Sequence, residues 1–263
     1  RVNNGEEMDN TTETQYQSPS IKGLSKAVLV TGGAGYVGSH TCKYLAKNGF
    51  TPIVIDRDLK TKFKPAEFGP IFDINLPQEI ERLEEIIKRF NITSCIHFAG
   101  SASVAESVKN PSEYYKNNVI ATIVLLDKLI ECGVKTFVYS SSAATYGDPG
   151  FRKCRESDVP NPISAYGGSK LMMEMICKDY QRAYGLSSVG LRYFNAAGAD
   201  PDAADLAHAV RRGADGRHGL RDGGRGVDDD LARRVHRRVL GDVLEDRLVA
   251  AQHRHRLSRI ARR

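Results

Sequence analysis

Between residues 26 and 200 short apolar runs alternate with amphipathic stretches. Ala27-Val28-Leu29-Val30 is continuously apolar and ends in glycine-rich sequence, as a strand buried on both faces does. Residues 36–48 then carry Val37, Cys42, Leu45 and Ala46 at helical spacing, with Gly49 as the stop. The same reading predicts further strands over 53–55, 71–72, 94–98, 134–139 and 188–193. It predicts helices over 77–90, 111–132 and 166–184, with Asn110 capping the second of these and Pro111 at its first position. Strands alternating with helices imply right-handed crossovers, and so an α/β fold with a doubly wound parallel sheet. Ligands of such sheets bind at the carboxyl ends of the strands.

The flanks break this pattern. Residues 1–25 are rich in Asn, Thr, Glu, Gln and Ser, too polar to offset their ordering entropy, and are expected to form a flexible tail. Residues 201–263 contain no aromatic residue and no Lys, Cys, Met, Thr or Asn, while Arg, Asp, Ala, Gly and His dominate. Only Leu231, Val235, Val239, Leu240, Val243, Leu244 and Leu248 keep helical spacing there, so one amphipathic helix is expected and a packed domain is not. The predicted organisation is therefore a tail over 1–25, one domain over 26–200 and an atypical segment over 201–263.

Charge follows the same division. The net +6 divides into 23 Lys+Arg against 22 Asp+Glu through Asp200, and 15 Arg against 10 Asp+Glu beyond it. Basicity confined to the last segment argues against nucleic acid as a partner of the whole chain. No apolar run reaches the ~18 residues of a membrane span, so no membrane association is expected. Cys42, Cys95, Cys132, Cys154 and Cys177 are odd in number and never in a C-x-x-C arrangement. That pattern predicts reduced thiols in a cytoplasmic protein, with neither a disulfide framework nor a metal site.

Thr31-Gly32-Gly33-Ala34-Gly35-Tyr36-Val37-Gly38 follows the first strand and opens the first helix. Gly32 permits the tight turn, Gly35 lets the backbone approach a pyrophosphate, and Gly38 lets helix and strand pack closely. The helix N-terminus adds unpaired N–H groups and a partial positive charge. Alone this is an ordinary strand-to-helix turn, but Asp56 stands where the second strand should end. Together they predict a Rossmann-type dinucleotide site. Asp56 would accept hydrogen bonds from the adenosine ribose and repel a 2′-phosphate, favouring NAD over NADP. Arg57 beside it works against that preference.

Tyr166-Gly167-Gly168-Ser169-Lys170 supplies a second constellation. Residues four apart share a helical face, so phenol and ammonium point into the same space. A free phenol, with pKa ~10, is a poor base at neutral pH. A neighbouring ammonium would favour its ionised form. The pair follows a strand ending Tyr139-Ser140-Ser141-Ser142, from which Ser142 could bond the same substrate oxygen.

The T-G-G-x-G-x-x-G turn, the S-S-S run and Y-x-x-x-K together resemble the extended short-chain dehydrogenase/reductase superfamily. Within it the chain is similar to the UDP-glucose 4-epimerase family. That similarity rests on His97-Phe98-Ala99-Gly100, Glu106-Ser107-Val108, Tyr114-Tyr115-Lys116-Asn117-Asn118-Val119, the segment from Ser140 to Gly147, and the segment from Leu191 to Ala199. The resemblance implies an NAD-dependent isomerase that oxidises and re-reduces a UDP-sugar at C4. It implies that Tyr166 moves the proton of the 4′-hydroxyl, Lys170 holds the nicotinamide ribose and tunes Tyr166, and Ser142 orients the reacting oxygen. Gly32, Gly35, Tyr36, Val37, Gly38 and Asp56 would form the cofactor turn. Asp73 and Ile74 would flank the adenine, while Phe98, Ala99, Gly100, Asn118 and Tyr193 would line the cofactor. Asn195 would begin the UDP contacts. By themselves Asp73 also reads as a strand-end cap, and Asn118 as a helix-interior polar group satisfied by backbone.

Departures from the family pattern are also informative. Sugar-nucleotide 4,6-dehydratases carry an Asp-Glu pair where this chain has Ala143-Ala144, so dehydration lacks a proton carrier. Ser101-Ala102 replaces a lysine that some epimerases use on the cofactor. The C-terminal substrate domain of the family has no recognisable motif after Asp200. The composition there resembles a shifted reading frame or chimeric join, which leaves an NAD-binding remnant or another NAD-dependent sugar-nucleotide oxidoreductase as alternatives. The superfamily's four-helix dimer would use helices 111–132 and 166–184.

Overall fold

The computed structural model describes residues 26–57, 59, 68–150 and 152–196. The expected tail, the helix near 231–248 and the whole of 201–263 lie outside them, as do Ala197, Gly198 and Ala199.

In chain order the elements are β1 (Ala27–Thr31), α1 (Tyr36–Lys47), β2 (Thr51–Asp56), β3 (Ile71–Asp73), α2 (Ile80–Phe90), β4 (Ser94–His97) and α3 (Val104–Lys109). A helical run follows as α4 (Pro111–Tyr114), a π-helical segment (Tyr115–Ile120) and α5 (Ala121–Glu131). The rest is β5 (Thr136–Ser140), a 3₁₀ turn (Ala143–Tyr146), α6 (Ala165–Tyr184) and β6 (Ser187–Leu191). The six strands form one parallel sheet in the order β3-β2-β1-β4-β5-β6. Chain order reverses between β1 and β4, which makes the carboxyl ends of those two strands the switch point where a cofactor crevice opens.

Strand residues alternate between two cores, as the two-residue period of a pleated strand requires. Leu29, Ile53, Ile55, Phe137 and Tyr139 pack with Leu83 and Ile86 of α2, Leu125 and Leu129 of α5, and Met173 and Cys177 of α6. Val28, Val30, Val54, Ile96 and Val138 face the other way, onto Cys42 and Leu45 of α1. Each expected helix thus puts its apolar stripe on the sheet, and both faces are covered over the central strands.

Four details differ from the sequence reading. The helix expected over 77–90 begins only at Ile80, the preceding residues forming turns. Asn110 precedes α4 without a side-chain capping bond. Residues 111–132 are not one regular helix, because the π segment widens it by one residue per turn at Tyr115–Ile120. Its physical partner is Asn118, whose buried amide reaches out of the helix to the loop after β4. Helix α3, capped by the Ser103 hydroxyl accepting from the Glu106 N–H, was not predicted, since six residues are too few to show a period.

A buried polar chain ties the switch point together. Thr122 Oγ1 donates to the Asn118 carbonyl at 2.6 Å, so its oxygen accepts from His97 Nε2 at 3.1 Å. His97 Nδ1 is then the acceptor for the Thr31 hydroxyl at 2.6 Å. One neutral tautomer therefore links β1, β4 and the helical run. Burial, with the Lys170 charge as a lesser cause, pushes His97 down to about 3. An imidazole that is neutral in the fold but protonated in the unfolded chain makes the unfolded state bind more protons between pH 6.5 and about 3. Stability is accordingly expected to fall by about 1 kcal/mol per pH unit as pH drops through that window. Urea unfolding at pH 7, 6 and 5 checks this, and His97→Gln should flatten the slope.

Candidate functional site

The glycine turn is shaped by close approach. Gly32 takes φ +69°, and a Cβ there would lie 2.5 Å from the Ala99 nitrogen at the end of β4. A Cβ on Gly38 would lie 2.2 Å from the Gly32 carbonyl, so α1 can start this near the strand only with glycine. Gly35 precedes α1 and has just one close neighbour, the Gly32 carbonyl at 3.2 Å from its ideal Cβ. It, Tyr36 and Val37 are half-buried at the open N-terminus of α1. A helix N-terminus of this kind presents backbone N–H groups suited to an anion such as a pyrophosphate.

Asp56 ends β2 as expected and is buried. Its Oδ2 accepts from the Ala34 N–H at 3.0 Å and its Oδ1 from the Arg57 N–H at 2.8 Å. The carboxylate therefore braces the glycine turn at the edge of the crevice. Gly32, Gly35, Asp56, Ile74, Phe98, Ala99 and Gly100 all line one cleft at the carboxyl edge of the sheet. Arg57, Leu76 and Asn117 join them, and sequence reasoning had not placed Leu76 or Asn117 there. Asp73 ends β3 with its side chain exposed, and its carbonyl accepts from Arg82 at 3.0 Å. It is not in the cleft lining, whereas Ile74 is.

Asn118 acts on the cleft through the backbone. Its Oδ1 accepts from the Ser101 N–H at 2.7 Å, and its Nδ2 donates to the Ser101 carbonyl and the Ser169 hydroxyl, both at 3.0 Å. Asn118 is thus a satisfied interior amide that ties the loop after Gly100 to the helix of Tyr166, and it is not in the cleft lining.

Helix α6 begins with Ser164, whose hydroxyl accepts from the Gly167 N–H at 3.2 Å. That start places Tyr166 and Lys170 on one face. Lys170 is fully enclosed, its Nζ donating to Ser140 Oγ at 3.4 Å and lying 3.7 Å from an ideal Cβ on Gly100. It therefore touches the cleft wall from behind. Its Nζ is 5.9 Å from the centroid of the Tyr166 ring. Ser142, at the head of the 3₁₀ turn, accepts from the Ala144 N–H at 3.1 Å, and its hydroxyl is the group that opposes the effect of burial on the Tyr166 phenol. Tyr193 sits beside them, its phenol pushed up to about 12 by burial. Asn195 is exposed beyond the end of β6.

The electrostatics correct one expectation. Burial raises the Tyr166 phenol above its ordinary value, and the opposing influence within the chain is the Ser142 hydrogen bond, not Lys170. Lys170 is itself pushed down to about 8, by burial alone. No cluster of metal-ligating side chains occurs among the described residues. Two residues were overlooked in the sequence. His97 stood in a quoted motif without a role, and Glu174, one turn beyond Lys170, carried no signal until its partners were visible.

A buried ammonium with one long hydrogen bond is a local cost. Lowering Lys170 from 10.5 to about 8 corresponds to ~3 kcal/mol at neutral pH. The cost is full below pH 8, where folded and unfolded chains are both protonated, and vanishes by about pH 10.5. Lys170→Met is expected to raise the unfolding free energy at pH 7 by up to ~3 kcal/mol, with the gain shrinking above pH 8. Chemical denaturation at pH 7 and 10 measures it.

The comparisons agree with this geometry. A family model described as the NAD dependent epimerase/dehydratase family matches residues 28–223. A UDP-glucose 4-epimerase of Halalkalibacterium halodurans is 46% identical over 180 residues, covering 67% of this chain and 52% of that protein. Among solved structures, a UDP-glucose 4-epimerase from Brucella ovis in complex with NAD is 44% identical at a TM-score of 0.64, covering 68% of this chain and 55% of the other. A UDP-glucose 4-epimerase of Thermotoga maritima with UDP-glucose is 35% identical at a TM-score of 0.61, covering 70% and 61%. This chain spans about half the length of the curated relatives it matches. With its switch-point cleft, its glycine turn and its Tyr-Lys helix in one parallel sheet, the chain belongs to the NAD dependent epimerase/dehydratase family.

Proposed function

We propose that this chain is the NAD-binding, catalytic half of a UDP-glucose 4-epimerase, which interconverts UDP-glucose and UDP-galactose. The observation that carries the reading is the position of Lys170 Nζ, enclosed between Gly100 of the cleft wall and Ser140 of the serine run. It joins a dinucleotide cleft to the phenol of Tyr166 and the Ser142 hydroxyl that acts on it.

NAD, when bound, accepts a hydride from the sugar C4 and returns it. Tyr166 takes the proton from the 4′-hydroxyl as the carbonyl forms, and gives it back when the ketone is reduced on its opposite face. Ser142 has its oxygen engaged by the Ala144 N–H, so its own proton is directed at the oxygen shared with Tyr166. Because burial raises Tyr166 in the chain itself, positive charge brought close by the cofactor is what would favour its ionised form. Asp56 takes the adenosine ribose hydroxyls, which disfavours NADP, and Gly32, Gly35 and Gly38 make room for the phosphates. Asn195 begins the uridine diphosphate contacts. Relatives solved with NAD and with UDP-glucose support the same pairing of cofactor and substrate. The unpaired cysteines fit a cytoplasmic setting. Among the described residues no helix is long and apolar enough to cross a membrane.

Incubating the full chain with UDP-galactose and NAD and following UDP-glucose tests this. Conversion is expected, and Tyr166→Phe should reduce it by ~10²–10⁴-fold, the usual worth of a positioned acid–base group. A second reading is a cofactor-binding module that does not turn over the sugar. NAD binding without any conversion would select it, and net NADH release with another alcohol would select a different oxidoreductase.

We also propose a homodimer through the helical run 111–131 and α6. Ile120 is 50% exposed, Met175 60% and Tyr184 59%, an apolar surface that a second copy would cover. Light scattering should give twice the chain mass, and Met175→Glu with Ile120→Glu should return it to a monomer.

A further inference from the structure

Glu174 lies four residues beyond Lys170 and eight beyond Tyr166, one and two turns along α6. It takes no part in the chemistry described above. Even so, its half-buried carboxylate accepts three hydrogen bonds. Oε1 accepts from Ser141 Oγ at 2.5 Å and from Arg192 Nε at 2.7 Å, and Oε2 accepts from Arg192 Nη2 at 2.5 Å. The Arg192 guanidinium also stacks 4.8 Å from the centroid of the Tyr146 ring. A bidentate arginine–carboxylate pair fixes orientation as well as distance.

What converges on this carboxylate is the frame of the reacting groups. Ser141 precedes Ser142. Tyr146 closes the 3₁₀ turn that Ser142 opens. Arg192 precedes Tyr193, and the backbone on either side of it is laid along the serine turn: the Ser141 N–H donates to the Leu191 carbonyl and the Ala143 N–H to the Tyr193 carbonyl, both at 3.0 Å. Glu174 thus joins helix α6 to the exits of β5 and β6, which backbone hydrogen bonds already hold to each other. We propose that Glu174, acting through Arg192 and Ser141, is a positioning residue that holds Ser142 in hydrogen-bonding register with Tyr166. The inference rests on the Ser142–Tyr166 chemistry of the epimerase reading and extends it to the group that sets their geometry. The same clamp anchors the start of the segment leading to Asn195.

The test compares E174A and E174Q with the unmutated full chain. In E174A kcat for UDP-galactose conversion is expected to fall on the order of 100-fold, as for a displacement of about 1 Å between reacting groups. KM and NAD affinity should change less than about threefold, since the lost contact bears on the transition state. E174Q keeps an oxygen for Ser141 and Arg192 Nε and should retain more activity. R192A should match E174A, and E174A/R192A should be no worse than either alone.

A second readout needs no turnover. The groups around the Tyr166 ring are Ser142, Lys170, Tyr114 and Tyr193. Ultraviolet titration of tyrosinate, with Y166F in the same background as the blank, isolates this phenol. Its midpoint should rise in E174A as the Ser142 bond that opposes burial is lost. If the unmutated chain converts no UDP-galactose, the epimerase reading alone fails, and the titration still decides the role of Glu174. Unchanged kcat, or an unchanged Tyr166 titration, in folded E174A and E174Q overturns the proposal. So does an equal loss of NAD affinity and activity.

Discussion

The end of β1 and the end of β4 come so close that no side chain fits between them. An ideal Cβ on Gly32 would stand 2.5 Å from the Ala99 nitrogen, and one on Gly38 would overlap the Gly32 carbonyl. This contact sets the depth of the crevice at the switch point, and the other parts of the site are arranged around it. Asp56 reaches across from β2 to brace the turn, while His97 and Thr31 close it from below with a buried hydrogen bond. Because the strands are parallel and buried on both faces, this crevice opens at their carboxyl ends, beside the start of α1.

The catalytic helix is tied to that crevice by polar groups in a region otherwise packed with hydrocarbon. Asn118 bridges the loop after β4 to Ser169, and Ser169 Oγ donates to the Tyr166 carbonyl at 2.7 Å. Lys170 fills the remaining space with a charge that burial disfavours. Such groups are costly unless satisfied, and nearly all of these are. The exception is Lys170, with one long bond to Ser140, and it is the residue to which the proposed function assigns a ligand contact. Stability is given up at this residue, which stands against Gly100 of the cleft lining.

Legibility in the sequence followed the range of the physics involved. The strand and helix pattern was readable because burial repeats at two residues in β1 and β5 and at three to four in α1, α2 and α6. The glycine turn and the pairing of Tyr166 with Lys170 were readable because each is local, set by steric freedom at Gly32 and by helical spacing. The π segment was not, because Asn118 departs from the regular helix to satisfy partners at Ser101 and Ser169, 17 and 51 residues away. The direction of the Tyr166 shift was not either, since spacing places Lys170 nearby but says nothing of how far burial outweighs its charge.

The residue pattern was enough for the parallel α/β sheet, and it marked a glycine turn with Asp56 and the Tyr166–Lys170 pair near Ser142 as candidates. Those properties depend on side-chain period, on the absence of a Cβ, or on neighbours within a turn. Only the tertiary structure decided which of the candidates share one cleft, that Asp73 stands outside its lining while Leu76 and Asn117 join it, and that His97 and Glu174 hold the frame. Those depend on hydrogen bonds between residues 18 to 66 positions apart, whose partners exist only once the sheet has brought the strand ends together.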